Sequence, residues 1–229
     1  MDFPILAEKT LILFDLDGTL VDSASDLYRA MNLSLARLHL PSVTEAQVRV
    51  WVGKGSKVFC ESVLAYLKGT VDAVLLEQLL ATFLDIYNAE PCIDTQPFAG
   101  VQEFLHAMQQ QGKILLCVTN KPEIPARKIL QQLGLIHYFA DVVGGDRFAV
   151  RKPDPKPLLF CMEKYQVQPA ATLMVGDSSN DVEAARRAGV DCIVLSYGYN
   201  HGEDIRLCQP QWILDQLTEL LDEATVSPS

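Results

Sequence analysis

Leu11-Ile12-Leu13-Phe14-Asp15-Leu16-Asp17-Gly18-Thr19-Leu20-Val21 sets two carboxylates directly after a continuous apolar run. A short, unbroken apolar run is the pattern of a strand buried on both faces. Side chains alternate along an extended chain, so Asp15 and Asp17 share a face, and carboxylates that close repel unless one is protonated or a cation lies between them. The pair therefore points to a divalent cation and to acid–base chemistry at the strand's end. Asp and Gly after a strand also build ordinary turns, and the rest of the chain has to decide between the two readings.

Further apolar runs at residues 114–118, 142–143, 172–175 and 192–195 read as strands. Between them, residues 100–111, 124–133, 157–165 and 181–188 carry apolar side chains at helical spacing, with Gly134 and Gly189 where helix C-terminal glycines belong. Strand and helix in alternation predict an α/β fold: a doubly wound, Rossmann-like parallel sheet covered on both faces. The rhythm breaks over residues 23–97, where residues 27–38, 58–67 and 73–87 read as helices with no strand between them. This reads as an inserted helical domain, its return marked by the turn and helix-start residues Pro91 and Pro97-Phe98-Ala99-Gly100. The expected division is a discontinuous α/β core of residues 1–20 and 98–229 and a helical cap of residues 21–97. The polar segment Val226-Ser227-Pro228-Ser229 reads as a tail.

At 229 residues, 49% hydrophobic and 21% charged, the chain has the composition of an ordinary globular protein. Its formal net charge of −10 opposes binding to nucleic acid or anionic membranes through a general basic surface, so an anionic substrate must meet a local positive site. No apolar run approaches a membrane span, and Asp2, Pro4, Glu8 and Lys9 lack the basic-then-apolar order of a signal peptide, which makes the cytoplasm the expected location. The six cysteines form no C-x-x-C, and Cys117 and Cys192 sit within strand-like runs, so buried free thiols are expected rather than a zinc site.

In an open parallel sheet the site lies beyond the carboxyl ends of the strands, where strand order reverses. Asp15, Thr119-Asn120, Lys152-Pro153 and Gly176-Asp177-Ser178-Ser179-Asn180-Asp181 bring carboxylates, a hydroxyl and an ammonium toward that edge. A phosphate with Mg²⁺ completes such a set, since Mg²⁺ prefers oxygen ligands and bridges carboxylates to phosphate. The structural readings, each the weaker one, are Asp181 as a carboxylate favouring a helix N-terminus, Thr119-Asn120 as a turn and cap, and Lys152 as a solvated neighbour of Arg151. His39, His106, His137 and His201 have no partner pattern, and Trp51 reads as a packing residue.

These four motifs, in this order and with a helical insert after the first, resemble those of the haloacid dehalogenase-like phosphohydrolases, over residues 10–221. Within the family, Trp51-Val52-Gly53-Lys54-Gly55, Val143-Gly144-Gly145-Asp146 and Tyr197-Gly198-Tyr199-Asn200 are most similar to its phosphoglycolate phosphatase branch. The resemblance implies that Asp15 is the nucleophile and that Asp17 protonates the leaving alkoxide and then takes a proton from water. It implies phosphate contacts from Gly18 and its neighbours' amides, Thr119, Asn120 and Lys152, and Mg²⁺ held by Asp15, Asp177, the carbonyl of Asp17 and, in or next to that shell, Asp181. Gly53-Lys54-Gly55 is the part of the cap expected to face the site, with Lys54 meeting a substrate carboxylate. The expected partner is a small phosphate ester, 2-phosphoglycolate first and another small sugar phosphate second, acted on by a monomer or homodimer. A phospho-accepting receiver without turnover, or a scaffold on an inactive phosphatase fold, is the alternative from a different class.

Overall fold

The computed structural model describes residues 5–221, so the polar tail read at residues 226–229 lies outside the described residues. In chain order the elements are α1 (Ile5–Glu8), β1 (Leu11–Phe14), β2 (Val21–Asp22), α2 (Ala24–Arg37), α3 (Glu45–Trp51), α4 (Ser56–Lys68), α5 (Ala73–Ala89) and β3 (Gln96–Pro97). There follow α6 (Val101–Gln110), β4 (Ile114–Val118), α7 (Glu123–Gln132), β5 (Asp141–Val143), α8 (Lys156–Tyr165), β6 (Thr172–Gly176), α9 (Ser179–Ala188), β7 (Asp191–Leu195) and β8 (Trp212–Leu214).

Six strands form one sheet in the order β5-β4-β1-β6-β7-β8, and every neighbouring pair is parallel. The apolar runs explain why. In β1, Ile12 and Phe14 pack on one face with Phe104 and Leu105 of α6 and Ile129 of α7, while Leu11 and Leu13 pack on the other with Leu158 of α8 and Val182 of α9. All four β1 side chains are fully buried, each contributing about 1.5–3 kcal/mol, which is why the central strand has no polar alternate positions. The sheet is thus doubly wound, as its strand–helix alternation predicts. The strand β8, absent from the sequence reading, adds a three-residue edge beside β7, too short and too close to Pro210 to show a period.

Helices α2 to α5 enclose a separate apolar cluster that includes Leu27, Met31, Val48, Phe59, Leu79 and Phe83. Phe83 meets Phe59 edge-on at 5.4 Å and stacks on Tyr87 at 5.5 Å. The helix α3 was not anticipated, because seven residues span too few turns for periodicity; it starts at Thr44, whose side chain accepts from the Gln47 amide while Gln47 accepts from the Thr44 amide. The insert was read as strand-free, yet the chain leaves and returns through a small antiparallel ribbon in which Val21 faces Pro97 and Asp22 faces Gln96. Tyr199 locks this hinge: its hydroxyl donates to Asp22 at 2.6 Å and accepts from the Ser23 amide at 3.0 Å.

Asp26 secures the returning chain to α2. It is fully buried, and its Oδ2 accepts from the amides of Ile93, Asp94 and Thr95 at 2.8–3.0 Å and from the Thr95 hydroxyl at 2.6 Å, while Arg29 donates to Oδ1. Burial alone pushes the carboxyl up; the bonds from Thr95, Arg29 and Ile93 outweigh it and hold the group below its ordinary value. A lowered value means that the stabilisation is fully present above the unfolded value near about 3.9 and is lost as the pH falls through the folded one. Asp26→Ala is expected to cost about 3 kcal/mol near neutrality, because buried donors lose their acceptor. Urea unfolding of both proteins checks this, with the difference shrinking as the pH drops below about 4.

Candidate active site

The strand order reverses around β1, with β4 on one side and β6 on the other, so Asp15, Thr119 and Asp177 follow the carboxyl ends of three adjacent strands. Lys152, in the loop before α8, completes the group. Its side chain is 1% exposed, and its Nζ lies 2.6 Å from Asp181 Oδ1 and 3.2 Å from Asp15 Oδ1. Asp15 is 6% exposed and accepts from the Leu16 amide at 2.7 Å. Burial drives its carboxyl up, Lys152 opposes this, and Asp181 and Asp17 add to the rise, leaving it at about 6.

Asp177 accepts from the Thr19 hydroxyl at 2.7 Å and from the Tyr199 amide at 2.8 Å. Burial, then the charges of Asp181 and Asp15, raise its carboxyl well above the ordinary range. Asp181 serves two masters: Oδ1 takes Lys152, while Oδ2 accepts from the Ser178 hydroxyl at 2.8 Å and amide at 3.1 Å in the first turn of α9. Asp181 thus caps the start of α9 and at the same time pairs with Lys152. Glycine is what lets the carboxylates in. At Gly18, with φ +86°, a Cβ would stand 2.3 Å from Asp177 Oδ2, and at Gly176 one would stand 2.3 Å from Asp181 Cγ.

Asp15, Asp177 and Asp181 each offer an oxygen, and these atoms lie within 4.8 Å of one another. Three buried carboxylates facing one ammonium, with only oxygen donors among them, fit a hard divalent cation. The Asp17 side chain stands outside this group: Lys121 Nζ lies 2.8 Å from both of its oxygens, and the Ser23 hydroxyl donates to it. With its side chain engaged by Lys121 and Ser23, Asp17 has only its backbone carbonyl left to offer a metal. A hard divalent cation, Mg²⁺ for instance, is expected to raise the melting temperature of the protein, whereas Asp177→Asn should raise the metal-free midpoint by about 2–4 °C, equivalent to about 1 kcal/mol, and abolish the response to the cation. Thermal melts in chelator and in Mg²⁺ measure both effects.

The other expected contacts divide. Thr119 is buried and lines a cavity together with Asp15, Asp17, Asn120 and Lys121. The Asn120 side chain donates to the carbonyls of Gly53 at 2.9 Å and Lys152 at 2.8 Å, so it ties the cap loop to the Lys152 segment and leaves phosphate contact to its backbone. The Gly18 amide is spent on the Val21 carbonyl at 2.9 Å. Lys54 is exposed and does not line the cavity, whereas Gly53 and Gly55 on either side of it do. Trp51 packs against the cap cluster, beside Tyr66. The residues that the sequence reading missed are Lys121 and Tyr87. Lys121 follows Thr119-Asn120 directly, where a Lys after a strand reads as solvent-facing, yet it is buried between Asp17 and the Tyr87 ring of α5.

Fold and site together define a hydrolase: the family model for haloacid dehalogenase-like hydrolases matches residues 12–195, and the chain belongs to that family. Among curated relatives it is 42% identical over 219 residues to phosphoglycolate phosphatase of Colwellia psychrerythraea, covering 94% of this chain and 97% of that one. It is 43% identical over 224 residues to phosphoglycolate phosphatase of Vibrio vulnificus, covering 96% and 98%. A crystal structure described as a predicted phosphoglycolate phosphatase from Haemophilus somnus superimposes with a TM-score of 0.90 at 33% identity, covering 95% of this chain and 99% of that one.

Proposed function

We propose that this chain is a Mg²⁺-dependent phosphomonoesterase that hydrolyses 2-phosphoglycolate to glycolate and phosphate. The observation that carries the chemistry is the buried group of Asp15, Asp177 and Asp181 around Lys152. The substrate reading is supported by the near full-length match to relatives of that name. Asp15 Oδ attacks phosphorus, the bond from phosphorus to the ester oxygen breaks, and the departing oxygen takes a proton from Asp17. Water then attacks phosphorus of the aspartyl phosphate and gives its proton to Asp17; the bond from phosphorus to Asp15 breaks, restoring the nucleophile. Asp15, Asp177 and the Asp17 carbonyl would hold Mg²⁺, with Asp181 orienting the group from behind. When bound, Mg²⁺ supplies positive charge opposite the transferring phosphoryl oxygens. Lys152 keeps the nucleophile charged and offsets the phosphate, and the Thr119 hydroxyl holds a phosphoryl oxygen.

The cap works as a lid. Leu27, Val52, Phe59 and Phe83 roof the cavity and keep bulk water from the phosphoryl group, and Asn120 and Asn180 both donate to the Gly53 carbonyl as its latch. The site is expected to work in the cytoplasm, consistent with six free cysteines and with no helix among the described residues long and apolar enough to cross a membrane. Phosphate release from 2-phosphoglycolate and from a panel of sugar phosphates, with Mg²⁺ and with chelator, tests the reading. A Mg²⁺-dependent preference for 2-phosphoglycolate supports it; equal rates across the panel discard the substrate, and a stable phosphoprotein without turnover brings back the receiver.

A further inference from the structure

A small cavity of about 40 Å³ lies between Asp15 and the underside of the cap. Its cap side is largely apolar, yet three polar features converge there. The first is Lys121, 6% exposed, whose ammonium lies 2.8 Å from both oxygens of Asp17. Two of the three ammonium protons are engaged by Asp17, which leaves a third for an acceptor in the cavity. The second is Tyr87 on α5, 2% exposed, which lines the cavity with a hydroxyl that makes no hydrogen bond of good geometry. Lys121 Nζ lies 4.8 Å from the centre of the Tyr87 ring, so ammonium and hydroxyl are neighbours.

The third is the start of α4, a helix of thirteen residues whose N-cap is Gly55. No side chain caps its first amides, no acidic residue lies in its first turn, and Gly55 and Ser56 line the cavity. A buried phenol without a partner is costly, and a bare helix N-terminus attracts negative charge. An ammonium, a waiting hydroxyl and a helix start around one small space make a receptor for an anion.

We propose that the cap end of this cavity is an anion subsite, in which Lys121 and Tyr87 receive the carboxylate of the substrate while its phosphate lies at Asp15. The identity of that anion as the carboxylate of 2-phosphoglycolate rests on the function proposed above; the subsite itself does not, since the second phosphate of a small bisphosphate has the same chemistry. The lysine expected to read the carboxylate thus comes from the core, after β4, and not from the cap loop, where Lys54 is exposed.

The test compares kcat/KM for 2-phosphoglycolate, for ethyl phosphate, which lacks the carboxylate, and for ethylene glycol bisphosphate, using wild type, Lys121→Met and Tyr87→Phe. The quantity read is the preference for the doubly anionic ester over ethyl phosphate, in which losses in the shared phosphate machinery cancel. It should fall about 100-fold in Lys121→Met and about 10-fold in Tyr87→Phe, chiefly through KM. Tyr87→Phe keeps the ring and its stacking on Phe83, so it carries the test if Lys121→Met does not fold. A wild type that prefers the bisphosphate, with that preference lost in the variants, retires 2-phosphoglycolate and retains the subsite. A preference unchanged in both variants overturns the subsite even where 2-phosphoglycolate is the substrate, as does a wild type that favours neither doubly anionic ester.

Discussion

Asp15→Asn is expected to lower kcat on 2-phosphoglycolate by at least about 10⁴-fold while leaving the metal-free protein no less stable than wild type. The two outcomes have one cause. Asp15 is buried with Asp181 and Asp17 nearby, and burial first, then those charges, raise its carboxyl to about 6 against the pull of Lys152. A carboxyl raised in the folded state is destabilising when ionised: the penalty is absent below the unfolded value near about 3.9 and fully present above about 6. Asparagine keeps the shape and the acceptor for the Leu16 amide, removes the penalty, and leaves Lys152 its shorter contact, 2.6 Å to Asp181. It cannot form an acyl phosphate. Stopped assays in Mg²⁺ read the first effect, and melts in chelator at pH 7.5 and pH 4 read the second, with the wild type gaining on the variant toward acid. Residual turnover above about 1% of wild type would remove Asp15 from the nucleophile's place.

The parts of this architecture legible in the sequence are those fixed by local pattern. The runs at β1, β4, β6 and β7 are buried on both faces, so nothing polar interrupts them, and their carboxyl ends announce Asp15, Thr119 and Asp177 directly. Val143-Gly144-Gly145-Asp146 and Tyr197-Gly198-Tyr199-Asn200 gained their physical meaning only from the fold. Gly145 lies where a Cβ would meet the Asn120 carbonyl at 2.3 Å, Asp146 accepts from the Glu123 amide at the start of α7, and Tyr197 donates to the Thr19 carbonyl.

What stayed hidden depends on contacts between residues distant in sequence. Lys121 and Tyr87 are 34 positions apart, and neither carries a local signal for the other. Lys54 itself is exposed and lies off the cavity that its neighbours line. Its flanking glycines do approach the site, but Gly53 offers its carbonyl to Asn120 and Asn180 and Gly55 makes room for Arg151, so the backbone and not the lysine uses the freedom they provide.

Lys152 gives the strongest combined effect on activity and stability, and the two can be separated. Its ammonium is buried between Asp15 and Asp181, with burial opposing its charge and those two carboxylates together prevailing. Lys152→Met removes the compensation from both at once. Stability should fall by about 3–5 kcal/mol, the cost of leaving a buried charge unpaired, and kcat by about 10³-fold as the nucleophile's carboxylate loses its countercharge. Pairing it with Asp181→Asn should restore much of the stability, because a neutral amide no longer needs the ammonium. Activity should not return, because Asp15 and the phosphate still lack the positive charge. Urea unfolding and kcat on the single and double variants decide the matter: recovery of both together would make Lys152 a structural partner of Asp181 alone, whereas recovery of stability without turnover, with Asp181→Asn alone still turning over, assigns its charge to the reaction.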